Sequence, residues 1–288
     1  GAMGWYYYHC RLDYENALRE FNLALKAQPN NIDVLLGIGA VYRRQGRFDD
    51  SIVLFKRAAE IDPRSASLIG AVAETYLRVR KYVEAEQYID RTINVAPDKP
   101  EWYCDKAYLY AKWKGDIQKA RKVLEDAEQR KVGAQDPLFL HYTVIIDMMG
   151  GRYQGAIDRL ETAEVKVFDY QYWYIPKEIL LAQLNGYLKR SQKARTYYDA
   201  ARVVLERDLH KHPDDARIHS SLGIVYAGLG RKDDAIREGK HAVDLLPISR
   251  EAVIGTIRVQ DLALIYTMAG EQDAGVDQLE KLLSIPSD

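Results

Sequence analysis

A pair of histidines and two cysteines are the residues of this sequence whose chemistry could include metal binding or redox reactions. His210 and His212 flank Lys211. Residues two positions apart on a helix point to different faces, so we interpret these histidines as solvent-facing side chains at a helix end. Cys10 and Cys104 lack the nearby partner that a zinc site or a redox pair requires. We expect no metal site and no cofactor, and we predict that both cysteines are reduced and half-buried.

The motifs that accompany catalysis are missing from the sequence. It contains no glycine-rich phosphate loop ending in Lys and Ser or Thr, no Gly-x-Ser-x-Gly turn and no His-Glu-x-x-His helix. The glycines at 150–151 and 228–230 do not follow a predicted strand, so we interpret them as turns between helices. The sequence therefore predicts a protein that is not an enzyme.

The composition narrows the choice of partner and compartment. The chain has 288 residues and a formal net charge of −1, a balance that gives no reason to expect nucleic acid as a partner. No apolar run approaches the roughly 20 residues that span a bilayer, and no basic segment followed by an apolar one begins the chain. The cysteine usage fits a reducing, cytoplasmic compartment. Residues 1–3 resemble a remnant of protease cleavage and are left out of the fold prediction.

Prolines at a fixed spacing indicate the elements that position these residues. Pro29, Pro63 and Pro97 lie 34 residues apart, as do Pro213 and Pro247. A period of roughly 34 residues is typical of helix–turn–helix repeats. Each proline follows a segment with helical apolar periodicity and ends a unit, because proline cannot continue a helix.

Small residues recur where the two helices of a unit must cross. In the unit that ends at Pro63, Ile38 and Gly39 fill the packing slot of the first helix and Gly46 permits the turn. The small residue that opens each second helix recurs at steps of 34 to 41 residues. These residues are Ala17, Ser51, Ala85, Ala120, Ala156, Ala194, Ala235 and Gly275.

This combination of period and slots resembles the tetratricopeptide repeat, and the resemblance covers almost the whole chain. It implies an all-α, right-handed superhelical solenoid of about eight antiparallel helix–turn–helix hairpins. The stretches WYYY (5–8) with DYENAL (13–18), SSLGIVYAGLGRK (220–232), and LALIY (262–266) with QLEKLLSIP (278–286) also resemble repeats of bacterial multidomain signalling proteins. In those proteins an adenylate cyclase, a Ser/Thr kinase or a winged-helix domain precedes the repeats.

The repeat period predicts where each unit begins and ends. After residues 1–3, the predicted units are 4–31, 32–65, 66–99, 100–135, 136–167, 168–213, 214–249 and 250–288. The sixth unit is predicted to have an extended second helix, because its opening residue Ala194 lies 19 residues before Pro213. The first unit begins within a helix, so we expect the chain to be a piece of a longer protein.

In this architecture the first helices of successive units line a concave groove, where a partner is expected to bind. In the middle of the predicted groove, aromatic and methionine side chains offer adaptable apolar contacts. Its cationic side chains could pair with carboxylates of the partner. Its residues are Arg43, Arg44, Glu74, Arg78, Tyr108, Lys112, His141, Tyr142 and Met149. The alternative for each residue is that it pairs with a neighbouring charged side chain or packs within the helical hairpins.

Two further groups of residues bear on the groove. Some tetratricopeptide domains bind the acidic tail of a chaperone through lysine and asparagine, but Leu36, Ala40 and Ala71 occupy those positions, so this clamp is absent. An aromatic cluster at 170–174 precedes Pro176, a residue type that suits the first turn of a helix. We predict that this cluster folds onto the fifth unit; the alternative is an exposed contact surface.

The sequence as a whole predicts a protein-interaction scaffold that binds a protein or peptide in the concave groove. By its resemblance, it would regulate or target an attached upstream effector domain. Two alternatives stay open. One is a sensor in which a peptide or small ligand changes the superhelix curvature, and the other is the non-catalytic portion of an enzyme such as a cyclase, kinase or transferase.

Overall fold

A computed structural model describes residues 1–286, which form sixteen α-helices, a π-helical turn (Tyr7–Arg11) that continues the first of them, and one short β-hairpin. The helices follow one another as eight antiparallel pairs, and the predicted all-α repeat superhelix is confirmed. In the first half these are α1 (Ala2–Tyr6), α2 (Tyr14–Ala27), α3 (Ile32–Arg44), α4 (Phe48–Ile61), α5 (Ala66–Arg78), α6 (Tyr82–Val95), α7 (Pro100–Lys114) and α8 (Ile117–Gln129). In the second half they are α9 (Pro137–Met149), α10 (Tyr153–Thr162), α11 (Lys177–Tyr187), α12 (Ser191–Lys211), α13 (Ala216–Gly228), α14 (Lys232–Leu245), α15 (Ile254–Met268) and α16 (Gln272–Leu283).

The β-hairpin lies between α10 and α11, where the sequence predicts no strand. Strand β1 (Val167–Asp169) pairs antiparallel with β2 (Tyr174–Pro176), and Phe168 lies opposite Ile175. Strands of three residues are too short for an alternating apolar pattern, which is the signal by which strands are recognised in a sequence. The hairpin contains the two β-strands found within residues 1–286.

Capping side chains set several helix starts locally. Asp13, Asn31, Asp116, Asp136 and Asp215 each accept a hydrogen bond from a backbone N–H two or three residues further along. Such a bond satisfies a donor that has no partner within the helix, and its loss typically costs about 1 kcal/mol. The repeat boundaries thus have a local cause, which explains why a sequence pattern can predict the helices.

Packing between units depends on one position of each second helix, which we call the inner position. It lies four residues after the small residue that opens the helix. Phe21, Phe55 and Tyr198 occupy this position in three of the units, and each is at most 6% exposed. The first helix of the next unit covers it. A Cβ on Gly37 of α3 would lie 2.4 Å from the Phe21 ring, and one on Gly228 of α13 would lie 2.3 Å from the Tyr198 ring. Neighbouring units therefore interlock through these side chains.

The superhelix also closes on itself, because the segment before α15 returns to the second unit. Arg44 Nη1 donates to Glu251 Oε2 at 2.5 Å, and Ala252 N donates to the Arg44 carbonyl at 2.8 Å. Phe48 packs with Val253 and Ile254 in a small buried cluster. We call this set the closure contact. It joins units that are far apart in the sequence, which is unusual for a solenoid built from nearest-neighbour interfaces.

The structure corrects the expected burial of the cysteines. Cys104 is fully buried in α7, and Cys10 is exposed. Both are free thiols. Burial raises the pKa of the Cys104 thiol well above its ordinary value, so this side chain is an inert part of the core. Within residues 1–286, no helix is both long and apolar enough to cross a membrane.

Replacing Gly39 by leucine tests the packing between α3 and α4. A Cβ at this position would lie 2.6 Å from the Phe55 ring, so we expect Gly39→Leu to lower the free energy of unfolding by about 1–3 kcal/mol. Thermal or urea denaturation measures the change. Gly155→Leu is the control, since a Cβ there would have no atom within 4 Å apart from the neighbouring backbone of its own helix, and leucine favours a helix over glycine. Equal stability of the two variants would contradict the packing.

Removing the charge of Glu251 tests the closure contact. Because Glu251→Gln leaves the buried Arg44 guanidinium without its counter-charge, we expect a loss of about 3–5 kcal/mol in the free energy of unfolding. The matched control is Asp50→Asn in the exposed Arg47–Asp50 pair, which should leave Tm unchanged. If both variants melted at the wild-type temperature, the closure contact would not contribute to stability.

Candidate functional site

The β-hairpin occupies the concave side of the superhelix, and Tyr172 at its tip contacts opposite walls. Its hydroxyl donates to Glu74 Oε1 at 2.9 Å and accepts from Arg78 Nη2 at 3.3 Å. Its carbonyl oxygen accepts from Arg258 Nη2 at 2.7 Å. Burial, with Glu74 adding to it, raises the pKa of Tyr172 to about 12, so the hydroxyl stays protonated as its donor role requires. One residue of the hairpin thus bridges α5 and α15.

The other aromatic residues of the hairpin pack against the fifth, sixth and seventh units. The centre of the Trp173 ring lies 4.8 Å from the centre of the His141 ring and 6.1 Å from that of the Tyr142 ring, both on α9. Tyr174 donates to Asp208 Oδ2 at 2.8 Å and its carbonyl oxygen accepts from Ser221 Oγ at 2.7 Å. The aromatic cluster at 170–174 is therefore packed inside the superhelix, and it reaches the fifth unit as predicted.

Four of the predicted groove residues belong to internal networks. Arg43 Nη1 and Arg78 Nη2 donate to the two carboxylate oxygens of Glu74, at 2.7 and 2.9 Å. Burial opposes ionisation of Glu74, but the two guanidinium groups hold its pKa well below the usual range. Arg44 pairs with Glu251, and both Arg44 and Arg78 are only 4% exposed. The structure differs here from the expected open groove, because the hairpin and the closure contact cover this wall.

The remaining predicted groove residues lie further along the concave side. Tyr108, His141 and Tyr142 line a cavity, whereas Met149 is 51% exposed and lies outside its lining. The Lys112 Nζ lies 4.5 Å from the centre of the Tyr108 ring, a cation–π contact within one helix. The structure thus brings three of the nine predicted residues together at one cavity, where Tyr108 and Tyr142 are partly exposed and His141 is buried.

This central cavity has a volume of about 520 Å³. The first helices of the last five units, α7, α9, α11, α13 and α15, form it together with the hairpin and Leu279. At its mouth, the large side chains Tyr187, Leu264 and Leu279 are 56%, 39% and 46% exposed. Aromatic and aliphatic side chains dominate the walls, so the cavity favours apolar groups.

An arginine and an aspartate of α15 form the polar side of the cavity. Arg258 is 1% exposed, and its Nη2 lies 3.2 Å from Asp261 Oδ2. Burial lowers the pKa of Arg258, and burial also raises the pKa of Asp261 although the neighbouring guanidinium opposes that shift. Sequence reasoning missed this pair. Its signal was present, since two opposite charges three residues apart interrupt an otherwise apolar helix.

Apolar surface predominates at the cavity. Within residues 1–286, no three His, Cys, Asp or Glu side chains come together in a way that could bind a metal ion. His210 and His212 lie exposed at the end of α12, as predicted. At the cavity, Arg258 and Asp261 are paired and His141 is neutral and buried.

An all-α array of helical hairpins with a concave, apolar cavity defines the class of helical-repeat proteins. Comparison with known families identifies the repeat. Three tetratricopeptide repeat families match residues 11–66, 42–112 and 177–247, which together exceed half of the chain. The chain belongs to the tetratricopeptide repeat family.

Similar proteins carry the same repeat in other settings. Anaphase-promoting complex subunit 3 of Schizosaccharomyces pombe is 28% identical over 45% of this chain and 19% of its own length. A kinesin light chain-related protein of Arabidopsis thaliana is 24% identical over 85% of this chain and 42% of its own length. The chain therefore spans less than half the length of these relatives.

Solved structures of other repeat proteins share the fold. The Cut9–Hcn1 hetero-tetramer of the APC/C has a TM-score of 0.55 and 16% identity, covering 94% of this chain and 49% of that one. A tetratricopeptide repeat protein from Parabacteroides merdae has a TM-score of 0.50 and 13% identity, covering 98% of this chain and 90% of that one. At these identities the likeness establishes the fold alone.

His141 makes stability depend on pH in a defined window. Burial lowers its pKa from 6.5 to about 4, so only the unfolded chain binds this proton between those values and stability falls as the pH falls. We expect His141→Phe to flatten the slope of unfolding free energy against pH by up to about 1.4 kcal/mol per pH unit. Urea denaturation between pH 4 and 7 measures it. The control His210→Phe, at an exposed site, should keep the wild-type slope. An unchanged slope in His141→Phe would show that His141 does not cause this pH dependence.

Proposed function

We propose that this protein is a non-catalytic interaction scaffold and that a segment of a partner protein binds in the central cavity. Membership of the tetratricopeptide repeat family supports a protein partner. A relative points the same way, since it is named as a subunit of the anaphase-promoting complex. Family membership supports the class of function, whereas the shape and exposure of the cavity support the location of the binding site.

The exposed apolar side chains at the mouth of the cavity support this location for the binding site. Tyr187, Leu264 and Leu279 leave large apolar surfaces in contact with water, and the aromatic walls continue inward to Tyr108 and Trp173. Apolar surface that stays exposed beside a cavity is typical of binding sites, because covering it releases about 25 cal/mol per Å². The hairpin already covers the wall formed by Glu74 and Arg78 of α5.

The cavity indicates the chemistry of the bound segment. A volume of about 520 Å³ accommodates a few large side chains but not a helix about 10 Å across, so we propose an extended segment with aromatic or aliphatic anchors. Gln183 and Gln260 line the same cavity and can exchange hydrogen bonds with the backbone of such a segment. The predicted residues Tyr108, His141 and Tyr142 would contact it.

The wider context is also a proposal. The resemblance to bacterial signalling proteins supports a cytoplasmic module that regulates or targets an attached effector domain. Of the two alternatives, a sensor acting through superhelix curvature has less support, because the closure contact between the second and eighth units opposes a change of curvature. The non-catalytic portion of an enzyme is compatible with the same cavity.

Selection from a phage-displayed library of linear peptides tests the site. We expect selected peptides to be rich in aromatic and aliphatic residues, and the double variant Tyr187→Ala with Leu264→Glu to bind them at least tenfold more weakly. Isothermal titration measures the affinities. Val53→Glu, at a 65% exposed apolar residue outside the cavity, is the control and should bind like the wild type. Equal binding by the double variant would place the peptides elsewhere and overturn the proposal.

A further inference from the structure

Asp261 places an accessible carboxylate in the lining of the central cavity. Its side chain is 22% exposed, whereas that of its neighbour Arg258 is 1% exposed. On the same helix, α15, Ile257 and Leu264 line the cavity one turn before and one turn after Asp261. A segment that enters the cavity therefore meets a carboxylate between two apolar side chains, while the buried guanidinium is out of its reach.

The charge of Asp261 is only partly compensated within the protein. Among residues 1–286, Arg258 is the one cationic side chain within 4 Å of this carboxylate, with 3.2 Å from Nη2 to Oδ2. The same Nη2 donates to the Tyr172 carbonyl oxygen at 2.7 Å, so the hairpin shares this guanidinium. Burial raises the pKa of Asp261, and Arg258 together with Ser220 offsets only part of that shift. The carboxylate thus has room for a second cation.

The other arginine in the cavity lining is held by different carboxylates. Arg217 on α13 pairs through Nη2 with Asp215 at 2.7 Å and through Nη1 with Asp169 at 2.9 Å. Two arginines therefore face three aspartates at this end of the cavity, which leaves one negative charge in excess. A cleft with an excess of negative charge attracts cations and disfavours anions.

A ligand that covers Asp261 must compensate its charge. A segment bound on Leu264 displaces water from the neighbouring Asp261, and burying an ionised carboxylate is unfavourable unless a cation or hydrogen-bond donors replace that water. Apolar anchors alone cannot do this. Lysine and arginine can, because their aliphatic stems pack on apolar side chains while the charged end reaches a polar group.

We propose that the segment bound in the cavity carries a basic side chain, lysine or arginine, that pairs with Asp261 between the apolar anchors. Its stem would lie against Ile257 and Leu264, and the side-chain carbonyl oxygens of Gln183 and Gln260 would accept its remaining hydrogen bonds. This inference rests on the function proposed above and adds a chemical requirement to it. A segment with an acidic residue at this place is rejected by the carboxylate.

Matched peptides test the requirement. Phage-displayed linear peptides are selected on the wild type from four libraries, in which the central residue is fixed as Lys, Arg, Gln or Glu and the other positions are drawn from Tyr, Trp, Leu, Ile and Ser. The strongest binders of the two basic libraries are synthesised together with versions that carry Gln or Glu at the central position. Fluorescence anisotropy measures the affinities.

We expect the basic peptides to bind the wild type at least tenfold more tightly than their glutamine versions, and the glutamate versions to bind more weakly still. In Asp261→Asn the preference for the basic peptides should fall to about twofold or less, because the two partners of the pair are coupled. Asp233→Asn is the control. It removes an exposed carboxylate of α14 outside the cavity lining and should keep the full preference.

A second pair of variants leaves Asp261 in place as the counter-charge of the buried Arg258. Gln260 is exposed next to Asp261 and lines the same cavity. Gln260→Lys should lower the preference for basic over glutamine peptides about threefold, the size of an exposed charge interaction, and Gln260→Glu should raise it. Circular dichroism of both Gln260 variants should show the wild-type helix content, since the replaced side chain is exposed.

Two results would overturn this inference and leave the function proposed above standing. One is equal affinity of the basic and glutamine versions for the wild type, and the other is a basic preference that Asp261→Asn and Gln260→Lys both leave unchanged. In either case the glutamine versions would bind the wild type and lose at least tenfold in Tyr187→Ala with Leu264→Glu. No binding from any of the four libraries, or equal binding by that double variant, would overturn both proposals.

Discussion

The buried ion pair between Arg44 and Glu251 is the interaction on which the shape of this protein depends. It joins residues 207 positions apart, at 4% and 2% exposure. Moving two charges out of water is costly, and their attraction offsets that cost only when further hydrogen bonds satisfy both groups. Here Arg44 Nε donates to the Tyr8 hydroxyl, and Glu251 Oε1 accepts from the backbone N–H of Val253. The pair therefore holds the first, second and eighth units together.

Closure changes how a repeat array behaves. In an open solenoid each unit contacts its neighbours only, so stability is roughly a sum of local terms and the ends can open separately. The closure contact adds a stabilising interaction between distant units. The hairpin adds another, because Tyr172 reaches both Glu74 on α5 and Arg258 on α15. Opening either end would expose these buried charges, which couples the ends of the array to its middle.

The same contacts decide where binding can occur. Arginines that could meet a partner's carboxylates instead neutralise Glu74 and Glu251, so their charge supports the fold. At the mouth of the central cavity the accessible surface is apolar, since Tyr187, Leu264 and Leu279 form it. The binding proposed for the cavity thus depends mainly on burial of apolar surface.

The amino-acid sequence by itself determined the repeats, because each hairpin results from local causes: prolines that end units, caps such as Asn31, and small residues such as Gly39 at the helix crossing. It also indicated that first helices line the concave side, and Tyr108 and Tyr142 do lie there. Only the tertiary structure decided which charges are buried and where surface stays open. Those outcomes depend on contacts across 94 to 207 residues, such as Arg78 with Tyr172 and Arg44 with Glu251, for which the sequence carries no periodic signal.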